Sequence, residues 1–70
     1  MYGTTMTPQQ AAEKIRRAKR PHAVYRIGRK LIAVREGSPT DCKLQVDRDA
    51  DFLGVYTGQV RAEWIREDMA

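Results

Sequence analysis

Seventy residues carry thirteen bases against nine acids, and the charges are segregated: +8 over the first 35 positions and −4 over the rest. A chain this short buries only about 60% of its unfolded surface, which argues against a large water-excluding active site, and a lone Cys42 excludes an internal disulfide. The longest apolar run, Leu31 to Val34, falls far short of the ~20 residues that cross a bilayer as a helix, so a reduced, cytoplasmic protein is expected.

In chain order, residues 1–6 read as a loose leader and 7–70 as one small domain. Thr7-Pro8-Gln9-Gln10 is a helix start: Thr7 as N-cap, Pro8 where a missing N–H costs nothing, and Gln10 placed to close a capping box. Pro21 disfavours helical geometry at Arg20, so the helix is predicted over Pro8 to Lys19. At 100° per residue Ala11, Ala12, Ile15 and Ala18 form a narrow small-residue stripe, with Arg16, Arg17 and Arg20 opposite. Such a helix should lie flat on a sheet with its arginines in solvent.

After Pro21 the period changes to 2. Ala23, Tyr25 and Ile27 alternate with His22, Val24 and Arg26, and Gly28-Arg29 occupies a two-residue turn before Lys30 to Arg35. A hairpin follows, with Tyr25 opposite Ile32 and Ala23 opposite Val34. Glu36 to Asp41 reads as a loop, and Cys42, Leu44 and Val46 alternate as a third strand. Leu53 and Val55 continue as a fourth strand, Phe52 and Tyr56 falling on its other face. A Thr57-Gly58 turn would lead to a fifth through Val60, Ala62 and Trp64. Residues 59–69 also contain good helix formers, and a terminal helix is the alternative. The expected class is α+β: one helix, then about five short antiparallel strands in a small barrel or Sm-like sheet.

That order resembles the Sm-like family, in its bacterial Hfq RNA-chaperone branch. Ile15 to Tyr25, I-R-R-A-K-R-P-H-A-V-Y, is similar to the family's basic helix end and first strand; Gly28-Arg29-Lys30-Leu31 resembles its G-x-K-L turn. Val55-Tyr56-Thr57-Gly58-Gln59-Val60 stands where the family has V-Y-K-H-A-I. The resemblance implies that Arg16, Arg17 and Lys19 match an RNA-contacting rim and Tyr56 the tyrosine of the Y-K-H motif. Thr57 and Gly58 replace the lysine and histidine of the uridine-binding pore, and Ala33 stands where the bent second strand has a glycine.

Chemistry-bearing residues are few. One histidine and one cysteine, with no clustered Ser/His/acid spacing, leave no nucleophile beside a base, so a non-enzymatic protein without cofactors is expected. Asp47-Arg48-Asp49-Ala50-Asp51 opens like a calcium loop, but Phe52 stands at the position of the required glycine and Gly58 at that of the bidentate glutamate. His22 reads as a surface or edge residue, Cys42 and Trp64 as core.

The basic residues carry the most specific signal. Lys14, Arg16, Arg17, Lys19 and Arg20, with Arg26, Arg29 and Lys30 of the hairpin and Tyr56, form the candidate nucleic-acid-binding set, RNA ahead of DNA. Two other partners remain open: an acidic face of a host protein complex, as for a phage-type or anti-CRISPR-like inhibitor, and a second copy meeting the positive half with its negative half.

Overall fold

The structure, a computed structural model, describes residues 4–70. Thr7 caps the first helix as its sequence promises. Its hydroxyl accepts from the Gln10 N–H at 3.3 Å while the Gln10 side chain accepts from the Thr7 N–H at 2.9 Å, satisfying two otherwise orphaned donors. Helix α1 spans Pro8–Ala18 and ends at Lys19, whose left-handed backbone (φ 55°) lets its N–H return to the Ile15 carbonyl at 3.1 Å. Ala11, Ala12 and Ile15 are fully buried, whereas Ala18 is exposed. Burying Ile15 alone contributes about 1.5–3 kcal/mol.

Strands β1 (His22–Ile27) and β2 (Lys30–Arg35) form the expected hairpin, with Tyr25 opposite Ile32 and Ala23 opposite Val34. Gly28 at φ +63° supplies the first central residue of its turn, a conformation that glycine adopts without steric penalty.

The next segment departs from expectation. Pro39–Gln45 is a helix, α2, instead of a third strand. Ser38 accepts from the Asp41 N–H at 3.2 Å, and Pro39 fills the first turn, so the cap outweighs the alternation of Cys42, Leu44 and Val46. Only Leu44 of those three is buried; Cys42 is exposed and Val46 is 83% exposed. Asp41 is buried as well, accepting from the Tyr25 hydroxyl at 2.7 Å and the Gly37 N–H at 2.9 Å. One carboxylate thereby ties α2 to β1.

Strand β3 (Asp51–Tyr56) pairs antiparallel with β1, giving the sheet order β2-β1-β3. Both outer strands oppose β1 and so run parallel to each other, a relation that needs a crossover; α2 provides it. The final segment is helix α3 (Ala62–Met69), the alternative reading, with Ile65 buried and Ala62 and Met69 partly buried at i, i+3 and i+7 spacing. Trp64 is therefore half-exposed instead of core.

The architecture is thus α+β, with three helices and an open three-stranded sheet, in place of five strands or a barrel. One face packs Val24, Leu31, Ala33 and Tyr56 with Ile15 of α1 and Ile65 of α3; the other packs Ala23, Tyr25 and Ile32 with Leu44 of α2. Cover on both faces buries four consecutive residues of the central strand, His22 to Tyr25. His22 is accordingly interior, its Nδ1 bonded to the Arg20 carbonyl at 2.8 Å. A bulge in the β1–β3 pairing moves Phe52 to the face of Val55, so the expected pairing of Phe52 with Tyr56 is not found. Of the predicted leader, residues 1–3 lie outside the described residues, while Met6 forms a β-bridge to Leu31.

Candidate nucleic-acid interface

The direction of α1 follows from three contacts. Met6, just before it, bridges Leu31 near the hairpin tip; Lys14 Nζ donates to the Ala33 carbonyl at 2.8 Å; and Pro21, just after it, accepts from the Glu36 N–H at 3.1 Å. The helix therefore runs along β2, from the turn toward the end that carries Arg35.

This alignment sorts the basic residues. Lys14 and Arg17 share an open groove of about 430 Å³ with Gln10, Glu13 and Ala18. Arg20 and Arg35 flank a second one, about 230 Å³, with Pro21 and Glu36. Lys19 is exposed between them at the helix C-cap. A helix of 11 residues is about 16 Å long, near half a turn of a nucleic-acid duplex. Along that length five cations face two acids, Glu13 and Glu36, and among the described residues no carboxylate lies within ion-pair distance of Arg17, Lys19, Arg20 or Arg35.

Other members of the candidate set are placed elsewhere. Arg29 and Lys30 sit at the hairpin tip, roughly 17–20 Å by strand rise from Arg35 at the other end of β2. Arg16 donates to the Val60 carbonyl at 2.9 Å, bracing the turn before α3. Arg26 donates to the Met69 carbonyl at 2.6 Å and pairs with Asp51 at 3.3 Å, holding the end of α3 against the sheet. Both guanidiniums already have partners within the fold.

Tyr56 is buried, with its hydroxyl bonded to Asp68. Burial first, then Asp68 as acceptor and negative neighbour, push its ionisation well above the ordinary phenol range. It presents no free ring face for a base. Among the described residues the exposed aromatics are instead Phe52, tilted against Tyr25 at 5.3 Å between ring centres, and Trp64.

Arg35, beside Arg20, is a cation that the sequence reading left out of the candidate set. The hairpin register could have found it: Gly28-Arg29 as the turn puts Arg35 opposite His22, two residues from Arg20. No group of three or more potential metal ligands gathers, at Asp47, Asp49 and Asp51 or elsewhere, among the described residues. None of their helices is long and apolar enough to cross a membrane.

Comparison with protein-family models, curated proteins and solved structures finds no match to this chain.

Proposed function

We propose that this protein binds the sugar-phosphate backbone of nucleic acid through the α1–β2 surface, with Arg17, Lys19, Arg20 and Arg35 as the contacting residues and Lys14, whose ammonium also donates to the Ala33 carbonyl, beside them. The observation that carries this reading is the run of cations along α1 without carboxylate partners. On a solvated face without a ligand, such side chains ordinarily intersperse with acids; here two acids border five bases. Phosphates neutralise the cations and release condensed counterions, so the affinity is electrostatic and largely indifferent to base sequence. Arg17, Arg20 and Arg35 suit this role particularly, since a guanidinium engages phosphate through two parallel hydrogen bonds.

The reading is tested by replacing Arg17, Arg20 and Arg35 together with Ala and measuring anisotropy with labelled RNA and DNA of several sequences. Affinity should fall for every sequence alike, by roughly tenfold or more, with the thermal midpoint nearly unchanged. Undiminished binding by the triple variant, or none by the parent protein at low salt, would overturn it. A stoichiometric complex with an acidic host protein that survives nuclease treatment would transfer the same surface to a protein partner.

A further inference from the structure

The two edges of the sheet are finished differently. Leu31 donates to the Met6 carbonyl at 3.1 Å and accepts from the Met6 N–H at 2.8 Å, so its backbone groups point away from β1. Alternation along an antiparallel strand turns those of Ala33 and Arg35 outward too. Their carbonyls are both taken, Ala33 by Lys14 Nζ at 2.8 Å and Arg35 by the Ser38 N–H at 3.1 Å. Three separate contacts close the β2 edge.

Carried across the ladder, the same alternation decides the opposite edge. Lys30, Ile32 and Val34 face β1, so their partners Ile27, Tyr25 and Ala23 face β2. His22, Val24 and Arg26 then face β3, where they meet Tyr56, Gly54 and Asp51. The backbone groups of Phe52 and Val55 are left pointing out of the sheet. No hydrogen bond from another described residue reaches them.

The bulge makes this edge uniform. In a regular strand residues 52 and 55 would point opposite ways; the extra residue at Leu53 turns both backbones outward and puts both side chains on one face. Those side chains are 57% and 45% exposed. Neither a charge nor a proline, the usual guards of an edge strand, occurs from Phe52 to Val55.

We infer that β3 pairs with β3 of a second copy, antiparallel about a two-fold axis between Leu53 and Gly54, extending the sheet to six strands. Self-complementarity selects this occupant. About that axis Phe52 meets the partner's Val55 and Val55 meets the partner's Phe52, two apolar cross-strand pairs on one face. In this register Asp51 comes opposite the partner's Tyr56, which carries no charge. Parallel pairing would instead set Asp51 against its own copy. Dimerisation also adds apolar burial to a 70-residue chain, whose own core is small. The inference is independent of the phosphate-binding reading, because Phe52 and Val55, on which it rests, are not among the proposed phosphate contacts.

Sedimentation velocity over a concentration series, with amide hydrogen exchange of the parent protein, tests it. A reversible dimer is expected whose formation slows exchange at the Phe52 and Val55 amides, while the parent at low concentration exchanges them freely. Val55→Lys, which places a charge on the edge without touching the β1 ladder, should weaken dimerisation by roughly tenfold or more. A monomer at every concentration up to the millimolar range, or a dimer in which those two amides exchange as fast as in the monomer, overturns the inference. The exchange measurement uses the parent protein, so it decides the matter even if the variant fails to fold.

Discussion

Replacing Tyr25 with Phe tests the buried contact that fastens α2 to the sheet. The hydroxyl it removes is fully buried and donates to Asp41 Oδ1 at 2.7 Å. Asp41, itself 2% exposed, would keep only the Gly37 N–H at its other oxygen. A hydrogen bond to a charged, buried acceptor contributes about 1.5–3 kcal/mol, and in a domain of this size that lowers the thermal midpoint by on the order of 10 °C. The pH profile adds a second readout. Burial, then the Asp41 acceptor and its charge, push the Tyr25 ionisation from 10.0 up to about 12. The folded state thus holds this proton more tightly than the unfolded chain. Its stabilising effect is complete below pH 10 and is lost as pH rises toward 12. Tyr25→Phe should remove that part of the alkaline decline, and Tyr56→Phe, whose parent ionisation is shifted in the same direction, should remove a similar part. Urea titrations followed by circular dichroism from pH 7 to 11.5 would check both. A cost below about 0.5 kcal/mol, outside the range expected for such a bond, or an unchanged alkaline slope, would refute the reasoning.

Leu44→Ala should cost about 2–5 kcal/mol by denaturant titration, because Leu44 is the one fully buried side chain that α2 places on Tyr25 and Ile32. Lys19→Gly should stabilise the fold by about 0.5–1 kcal/mol, since Lys19 is the sole non-glycine with positive φ among the described residues; thermal melts would show it. Arg16→Ala should lower stability by about 1 kcal/mol through its lost bond to the Val60 carbonyl, with little change in nucleic-acid affinity. Arg17→Ala should do the reverse, and melts paired with anisotropy separate the two roles.

Local chemistry made part of this fold legible. Thr7, Pro8 and Gln10 announce α1, Pro21 ends it, and Gly28 fixes the register of the hairpin. The misreadings share one cause. In Cys42-Leu44-Val46 and Val60-Ala62-Trp64, apolar residues alternate over so few positions that period 2 and period 3.6 both fit. What decided the first was the cap at Ser38 and Pro39, a signal present in the sequence but outweighed by the alternation. For the second it was the burial of Ile65, flanked by Ala62 and Met69, which a strand reading sets aside. The covering of both sheet faces could not be seen from β1 alone, because its alternation resembles that of a half-exposed strand. For the proposed interface, charge segregation marked α1 as the cation-rich helix. Distinguishing free cations from those bound to carbonyls, as Arg16, Lys14 and Arg26 are, required the long-range contacts to Val60, Ala33 and Met69.

The slope of binding with salt tests the central claim most directly. If three to five phosphates are neutralised along α1 and β2, log affinity for duplex should fall against log salt with a slope of about −2.7 to −4.5, roughly a 40- to 500-fold loss between 50 and 200 mM. In the Arg17, Arg20 and Arg35 triple alanine variant the slope should flatten by about 3, one unit per lost phosphate contact. A slope near zero, or one equally steep after the three arginines are removed, would contradict the account.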